Sequence, residues 1–123
     1  MGPLCTVLIV EDEYLIALDL IETLSHFGAA RAEMALDCLT ATHLIETEAF
    51  DLVTLDYHLG GDTCELLAER LRRMGIPMIV VTGVDFGLLP PWLFDNPVLA
   101  KPINYRVVGD TVRALGFVVG EAA

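Results

Sequence analysis

The sequence predicts an α/β protein, a single doubly wound five-stranded parallel sheet with helices on both faces. Short apolar runs alternate along the chain with segments whose apolar residues recur at helical spacing. The apolar runs are continuous, as expected of strands that are buried on both faces. We expect the flavodoxin-like strand order 2-1-3-4-5 and one domain over residues 1–123.

The elements follow in order along the chain. Strands are predicted at residues 4–10, 29–34, 52–55, 77–81 and 98–100, and the second, rich in alanine, is the weakest. Helices are predicted at residues 13–27, 36–49, 62–74 and 104–115, with Asp62 and Thr63 supplying the cap of the third. Residues 83–96 contain Pro90-Pro91, so this segment should hold only a shortened or irregular fourth helix.

Charge and hydropathy exclude several classes of partner. The chain has 18 acidic against 7 basic residues, a formal charge of −11, which disfavours nucleic-acid binding. No apolar stretch reaches the ~18 residues of a membrane span, and no signal peptide is present, so we expect no membrane partner and a cytoplasmic location. The 3 cysteines are widely spaced, and each is expected to be a small buried hydrophobic residue without a disulfide.

Polar side chains stand at the ends of four predicted strands. Glu11 and Asp12 close the first, Asp56 closes the third, Thr82 closes the fourth and Lys101 follows the fifth. Because the carboxyl ends of parallel strands share one edge of the sheet, these groups should lie together where ligands bind. Each alone has an ordinary structural explanation, as a turn, cap or solvated residue. Together they indicate a metal-assisted phosphoryl site.

The chemistry of that site follows from the residue types. Mg²⁺ prefers carboxylate and water oxygens, and Asp12, Asp56 and the backbone carbonyl of His58 could supply ligands, with Glu11 acting through water. Asp56 could then act as a nucleophile on phosphorus. The Thr82 hydroxyl and the Lys101 ammonium could each contact a phosphoryl oxygen. We expect Lys101 to be a surface residue, whose ion pairs would contribute only ~0–1 kcal/mol.

The strand-end motifs resemble the receiver domain of two-component response regulators over essentially the whole chain. They are Leu8-Ile9-Val10-Glu11-Asp12-Glu13, Leu55-Asp56, Val81-Thr82-Gly83 and Lys101-Pro102. The resemblance implies that Asp56 is the phosphoacceptor, that Asp12 and Glu11 are magnesium acids, and that Thr82 and Lys101 are the conserved hydroxyl and lysine. It also implies a histidine kinase or phosphotransfer protein as phosphoryl donor.

The sequence departs from most receivers at identifiable positions. Leu59-Gly60 replaces the usual Met-Pro, and Val98 occupies the position of the aromatic switch residue. The stretch Pro97-Val98-Leu99-Ala100-Lys101-Pro102, with Thr82-Gly83, is similar to the atypical FATGUY receivers, which are often stand-alone. Without an aromatic switch residue, phosphorylation should act by ordering residues 83–96, which we expect to be mobile.

The leading hypothesis is a phosphoacceptor receiver in phosphorelay signal transduction that has no output domain and acts through protein contacts, not as an enzyme. A receiver-like docking module that works without phosphorylation is the first alternative, and a receiver excised from a hybrid kinase is another. A small phosphohydrolase is disfavoured, because the sequence offers no second acid near Asp56 for general acid–base work. The cognate kinase and the downstream target are not indicated.

Overall fold

The computed structural model describes residues 2–4 and 6–119, which form five parallel strands and four α-helices. The strands are β1 Thr6–Val10, β2 Arg31–Ala35, β3 Leu52–Asp56, β4 Met78–Thr82 and β5 Val98–Ala100. The helices are α1 Tyr14–His26, α2 Cys38–Thr47, α3 Glu65–Met74 and α4 Tyr105–Ala114. None of these helices combines the length and apolar character needed to cross a bilayer.

The strand order is 2-1-3-4-5, and every neighbouring pair is parallel, so the predicted fold class is confirmed. The direction of winding reverses between β1 and β3, which are adjacent although α1, β2 and α2 separate them along the chain. At such a point the connections leave to opposite faces of the sheet and open a crevice beyond the strand ends.

The sheet separates two apolar cores, which explains the high apolar content. On one face, α2 and α3 pack on the sheet through Ile45 and Leu71; on the other, α1 and α4 pack through Leu24 and Val112. All residues of β3 and β4 are buried. Strands covered on both faces are apolar at most positions, and this is the nearly continuous pattern seen in the sequence.

The start of the third helix differs from the sequence prediction. Asp62 and Thr63 do not cap it; they form a short strand paired antiparallel with His58–Leu59. Gly60 and Gly61 make the turn with φ of 57° and 87°, a conformation that suits the two central residues of a tight hairpin turn. The Gly-Gly pair therefore produces a hairpin, and α3 begins only at Glu65.

Residues 83–96 contain no regular α-helix, as predicted from the double proline. Two short 3₁₀ helices, Phe86–Leu88 and Pro91–Asp95, occupy the segment. Leu89 and Leu93 are buried in the core formed with α2 and α3. The segment is irregular but anchored, and the mobility expected for it stays a prediction.

The cysteines contradict the sequence prediction. Cys38 and Cys64 form a disulfide, with Cα atoms 6.2 Å apart although 26 positions separate them along the chain. The parallel topology explains the contact, because α2 and α3 both begin at the carboxyl edge of the sheet and lie on the same face. Spacing in the sequence gives no indication of this proximity. Cys5 lies outside the described residues.

Candidate functional site

Three carboxylates meet at the carboxyl edge of the sheet. In the register of β1 with β3, Val10 lies beside Leu55, so Glu11 and Asp12 emerge next to Asp56. One oxygen from each of these acids lies within 4.8 Å of the others. Glu11 and Asp56 are buried, at 1% and 4% exposure, whereas Asp12 is exposed. The structure thus brings together the acids that the strand ends indicated.

Lys101 reaches these acids from the far edge strand. Its Nζ lies 2.7 Å from Glu11 Oε1 and 3.0 Å from Asp56 Oδ2. Its backbone N–H donates to the Thr82 carbonyl at 2.8 Å, which fixes the residue just beyond β5. The expectation of a surface lysine is wrong, because the side chain crosses the end of β4 and is only 19% exposed.

Burial and charge set the ionisation of this group. Burial raises the pKa of Glu11 to about 7, opposed by the hydrogen bond from Lys101 and reinforced by neighbouring Asp56. For Lys101, burial lowers the pKa, but the hydrogen bonds with Glu11 and Asp56 outweigh it and hold the pKa above its ordinary value. The ammonium therefore stays charged beside the two acids.

The acidic cluster fits a hard divalent cation. Carboxylate oxygens are the ligands such ions prefer, and one ammonium cannot neutralise three neighbouring carboxylates. Exposed Asp12 provides access from solvent. Glu11 already has protein partners for both oxygens, since Oε1 contacts Lys101 and Oε2 accepts from the Glu13 N–H at 3.2 Å. Asp56 is engaged in the same way, through Lys101 at Oδ2 and the His58 N–H at Oδ1, so the exposed Asp12 is the acid most accessible to a cation.

The Thr82 hydroxyl is buried at the end of β4, on the strand that pairs with β3. Its Oγ1 accepts a hydrogen bond from the Val84 N–H at 3.1 Å and lies 3.3 Å from His58 Nδ1. Which of the two side chains donates depends on the histidine tautomer. His58 is thus not a free loop residue, because its ring rests against the hydroxyl.

The loop after Asp56 is held against the acids by backbone groups. The His58 N–H donates to Asp56 Oδ1 at 3.3 Å, and the Gly60 N–H donates to Asp12 Oδ2, also at 3.3 Å. Gly60 is a partner of Asp12 that was not predicted from the sequence. The signal was present in the Gly60-Gly61 pair, since a tight hairpin turn folds the loop back over the sheet edge.

A wide surface groove lies elsewhere, between α1 and α4. Asp19, His26, Phe27 and Tyr105 are among its lining residues, and none of the strand-end acids, Thr82 or Lys101 contributes to it. The groove is open and lacks the group of three close carboxylates found at the strand ends. The strand-end cluster is therefore the candidate site.

Solved structures with the same fold cover almost the whole chain. SdrG from Sphingomonas melonis Fr1 is 32% identical, with a TM-score of 0.80 over 94% of this chain and 98% of that one. A CheY-like response regulator receiver domain protein from Methanospirillum hungatei JF-1 is 26% identical, with a TM-score of 0.80 over 91% and 93% of the two chains.

Curated relatives match a smaller part of the chain. The transcriptional activator protein IrlR of Burkholderia pseudomallei is 38% identical over 80 residues, which are 64% of this chain and 34% of the activator. The chain thus spans about a third of the length of the curated relatives that it matches. No protein-family model matches the sequence.

Replacing Lys101 should show how much its ion pairs with Glu11 and Asp56 contribute to the free energy of unfolding. Lys101→Met keeps the apolar stem but leaves Glu11 and Asp56 without a cation. Removing one partner of a buried pair leaves an uncompensated charge, so in EDTA the free energy of unfolding should fall by about 2–4 kcal/mol. Urea unfolding measures this difference.

The matched control is Arg70→Met. Arg70 pairs with Glu46 at 3.0 Å, but both side chains are nearly half exposed. The control should change the free energy of unfolding by no more than ~1 kcal/mol. If Lys101→Met is as mild as the control, the buried ion pair contributes little and our account of the site is wrong.

Proposed function

The chain belongs to the receiver domains of response regulators, and on that premise we propose that it accepts a phosphoryl group on Asp56. The donor would be a histidine kinase or a phosphotransfer protein of a two-component system. The observation that carries the proposal is the contact between the buried Asp56 carboxylate and the Lys101 ammonium, 3.0 Å apart. If Asp56 is the nucleophile, it would attack beside a cation suited to phosphoryl oxygens.

The transfer needs little chemistry from the protein beyond positioning. An Asp56 oxygen attacks the phosphorus of a phosphohistidine; the P–N bond breaks as the new P–O bond forms, and the released imidazole takes up a proton. Lys101 can exchange its contact with Asp56 for a phosphoryl oxygen. The Thr82 hydroxyl can donate to a second oxygen, on giving up its contact with His58.

We propose Mg²⁺ as the divalent cation of this site. Asp12 and Asp56 would hold it directly, the backbone carbonyl of His58 would add an oxygen, and Glu11, engaged with Lys101, would act through water. When bound, the ion would offset the charge that the phosphoryl oxygens bring to the acidic cluster.

The phosphorylated chain would signal through protein contacts in the cytoplasm. It would be a phosphoprotein rather than an enzyme, apart from catalysing its own aspartyl phosphorylation and dephosphorylation. The net charge of −11 disfavours a nucleic-acid target, and we propose neither nucleic-acid nor membrane binding. The FATGUY-type, stand-alone character expected from the sequence stays a prediction.

Phosphorylation can be tested with a small donor. Incubation with acetyl phosphate and Mg²⁺ should add one phosphoryl mass to the intact protein. Asp56→Asn should abolish the addition, because the amide is a far weaker nucleophile than the carboxylate. Asp95→Asn, which alters an exposed acid in the second 3₁₀ helix, is the control and should be labelled like the wild type. Intact mass spectrometry gives the result.

Two outcomes would count against the assignment. Labelling of Asp56→Asn at the wild-type level would show that the phosphoacceptor is another residue. A wild-type protein that takes up no phosphoryl group from acetyl phosphate or from phosphorylated histidine kinases would favour the docking module that works without phosphorylation.

Binding of Mg²⁺ can be tested through its effect on the stability of the folded protein. Mg²⁺ at ~100 times its dissociation constant should stabilise the wild type by about 2.7 kcal/mol, because only the folded chain assembles the site. Asp12→Asn should lose most of this increment, while Asp95→Asn should keep it. Thermal unfolding with and without Mg²⁺ measures the increment. Retention of the full increment by Asp12→Asn would exclude Asp12 as a ligand.

A further inference from the structure

The disulfide connects the starts of two helices near the candidate site. Cys38 is the first residue of α2 and is half-buried, whereas Cys64, immediately before α3, is 1% exposed. The Cα separation of 6.2 Å lies in the range that a disulfide spans. Both residues are on the same side of the sheet as the hairpin that follows Asp56.

The disulfide fastens the base of the loop between Asp56 and Cys64. The Cys64 N–H donates to the Tyr57 carbonyl at 2.7 Å, which closes the loop just beyond Asp56. At the other end of the hairpin, the Gly60 N–H donates to Asp12. The loop is therefore attached at its base to α2, through Cys38, and at its tip to an acid of the site.

A surface cleft joins the disulfide to the acidic cluster. Its lining includes Asp12, Cys38, Leu59 and Gly60, but not Cys64. Cys38 is consequently the member of the pair that faces the cleft, and Cys64 is the sheltered partner. An asymmetric pair of this kind gives thiol exchange a defined point of attack.

We propose that Cys38 and Cys64 form a reversible redox site that controls the order of the loop between Asp56 and Cys64, and thereby cation binding at the acidic cluster. The control of cation binding rests on the proposed function. Disulfides in the cytoplasm are typically transient and redox-sensing rather than permanent. The core around the pair is formed by many other buried side chains, so both redox states can keep the fold.

A dithiol reductant of the thioredoxin class can reduce the disulfide between Cys38 and Cys64. A thiolate of the reductant attacks the Cys38 sulfur; the bond between Cys38 and Cys64 breaks, and the Cys64 thiolate takes up a proton. The second thiolate of the reductant then attacks the mixed disulfide and releases Cys38. The protein gains two electrons and two protons, and the reductant becomes a disulfide. A low-molecular-weight disulfide reverses the process.

The first test counts thiols in the full chain. After treatment with oxidised glutathione and removal of the excess, denaturation in iodoacetamide should alkylate only Cys5 of the 3 cysteines. After dithiothreitol all should be alkylated, and reoxidation should restore the first pattern. Peptide mapping should find Cys38 joined to Cys64. Free Cys38 and Cys64 thiols after oxidation, or a bond that dithiothreitol cannot reduce in the folded protein, would overturn the proposal.

The second test measures how ordered the loop is, and it does not depend on phosphorylation. Hydrogen exchange over residues 57–63 should become faster in the reduced protein, while exchange in β3 stays slow in both states. Cys38→Ser should behave like the reduced wild type whatever the redox treatment. Cys5→Ser, which leaves the pair intact, is the control and should keep the redox response. Equal loop protection in oxidised and reduced protein would overturn the proposal.

The third test measures the coupling to the cation. Calorimetric titration with Mg²⁺ should give an affinity about fivefold or more lower in the reduced protein, and no redox dependence in Cys38→Ser. Equal affinities in both states would overturn the coupling. Absence of phosphoryl labelling in both redox states would instead contradict the proposed function, while the thiol count and the loop exchange would still test the redox site.

Discussion

The ion pairs of Lys101 with Glu11 and Asp56 hold the candidate site together. They connect residues from the ends of β1, β3 and β5, three strands that are not all neighbours, through a single ammonium. Lys101 is the only lysine in the chain. Because it is largely buried, it compensates charge where water cannot, and that compensation is what permits several acids to share one small volume.

The parallel sheet makes this arrangement possible. Strands that all run in one direction place their last residues at a common edge, and the reversal of winding between β1 and β3 opens a crevice there. The same geometry brings the first turns of α2 and α3 to that edge. The acids, the hairpin after Asp56 and the disulfide are therefore neighbours for one topological reason. Hydrogen bonds attach the hairpin to Asp12 through the Gly60 N–H and close its base between the Cys64 N–H and the Tyr57 carbonyl.

Patterns local to each element allowed the fold and the convergence of site residues to be predicted. Continuous apolar runs identified the strands, and a parallel sheet then required Glu11, Asp12 and Asp56 to emerge together. The path of a long side chain is not encoded in such patterns, so the burial of Lys101 was missed. The pairing of Cys38 with Cys64 was missed as well, because it depends on how two helices are placed in space.

The hairpin after Asp56 is a further feature that patterns local to one element did not predict. Asp62 and Thr63 have good helix-capping side chains, and local preference alone favours a helix start there. The Gly60-Gly61 turn instead directs the chain back on itself, and Thr63 pairs with His58. The competing signal was in the sequence, and the folded loop also attaches to the sheet edge, where the Gly60 N–H donates to Asp12.

The most direct test of the account is a crystal structure of the protein with Mg²⁺ and beryllofluoride, a mimic of the phosphoryl group. We expect beryllium bonded to a carboxylate oxygen of Asp56, the cation held by Asp12 and Asp56, and Lys101 Nζ moved from Asp56 to a fluorine. This expectation is contradicted if Asp56 carries no beryllofluoride while Lys101 still bridges Glu11 and Asp56.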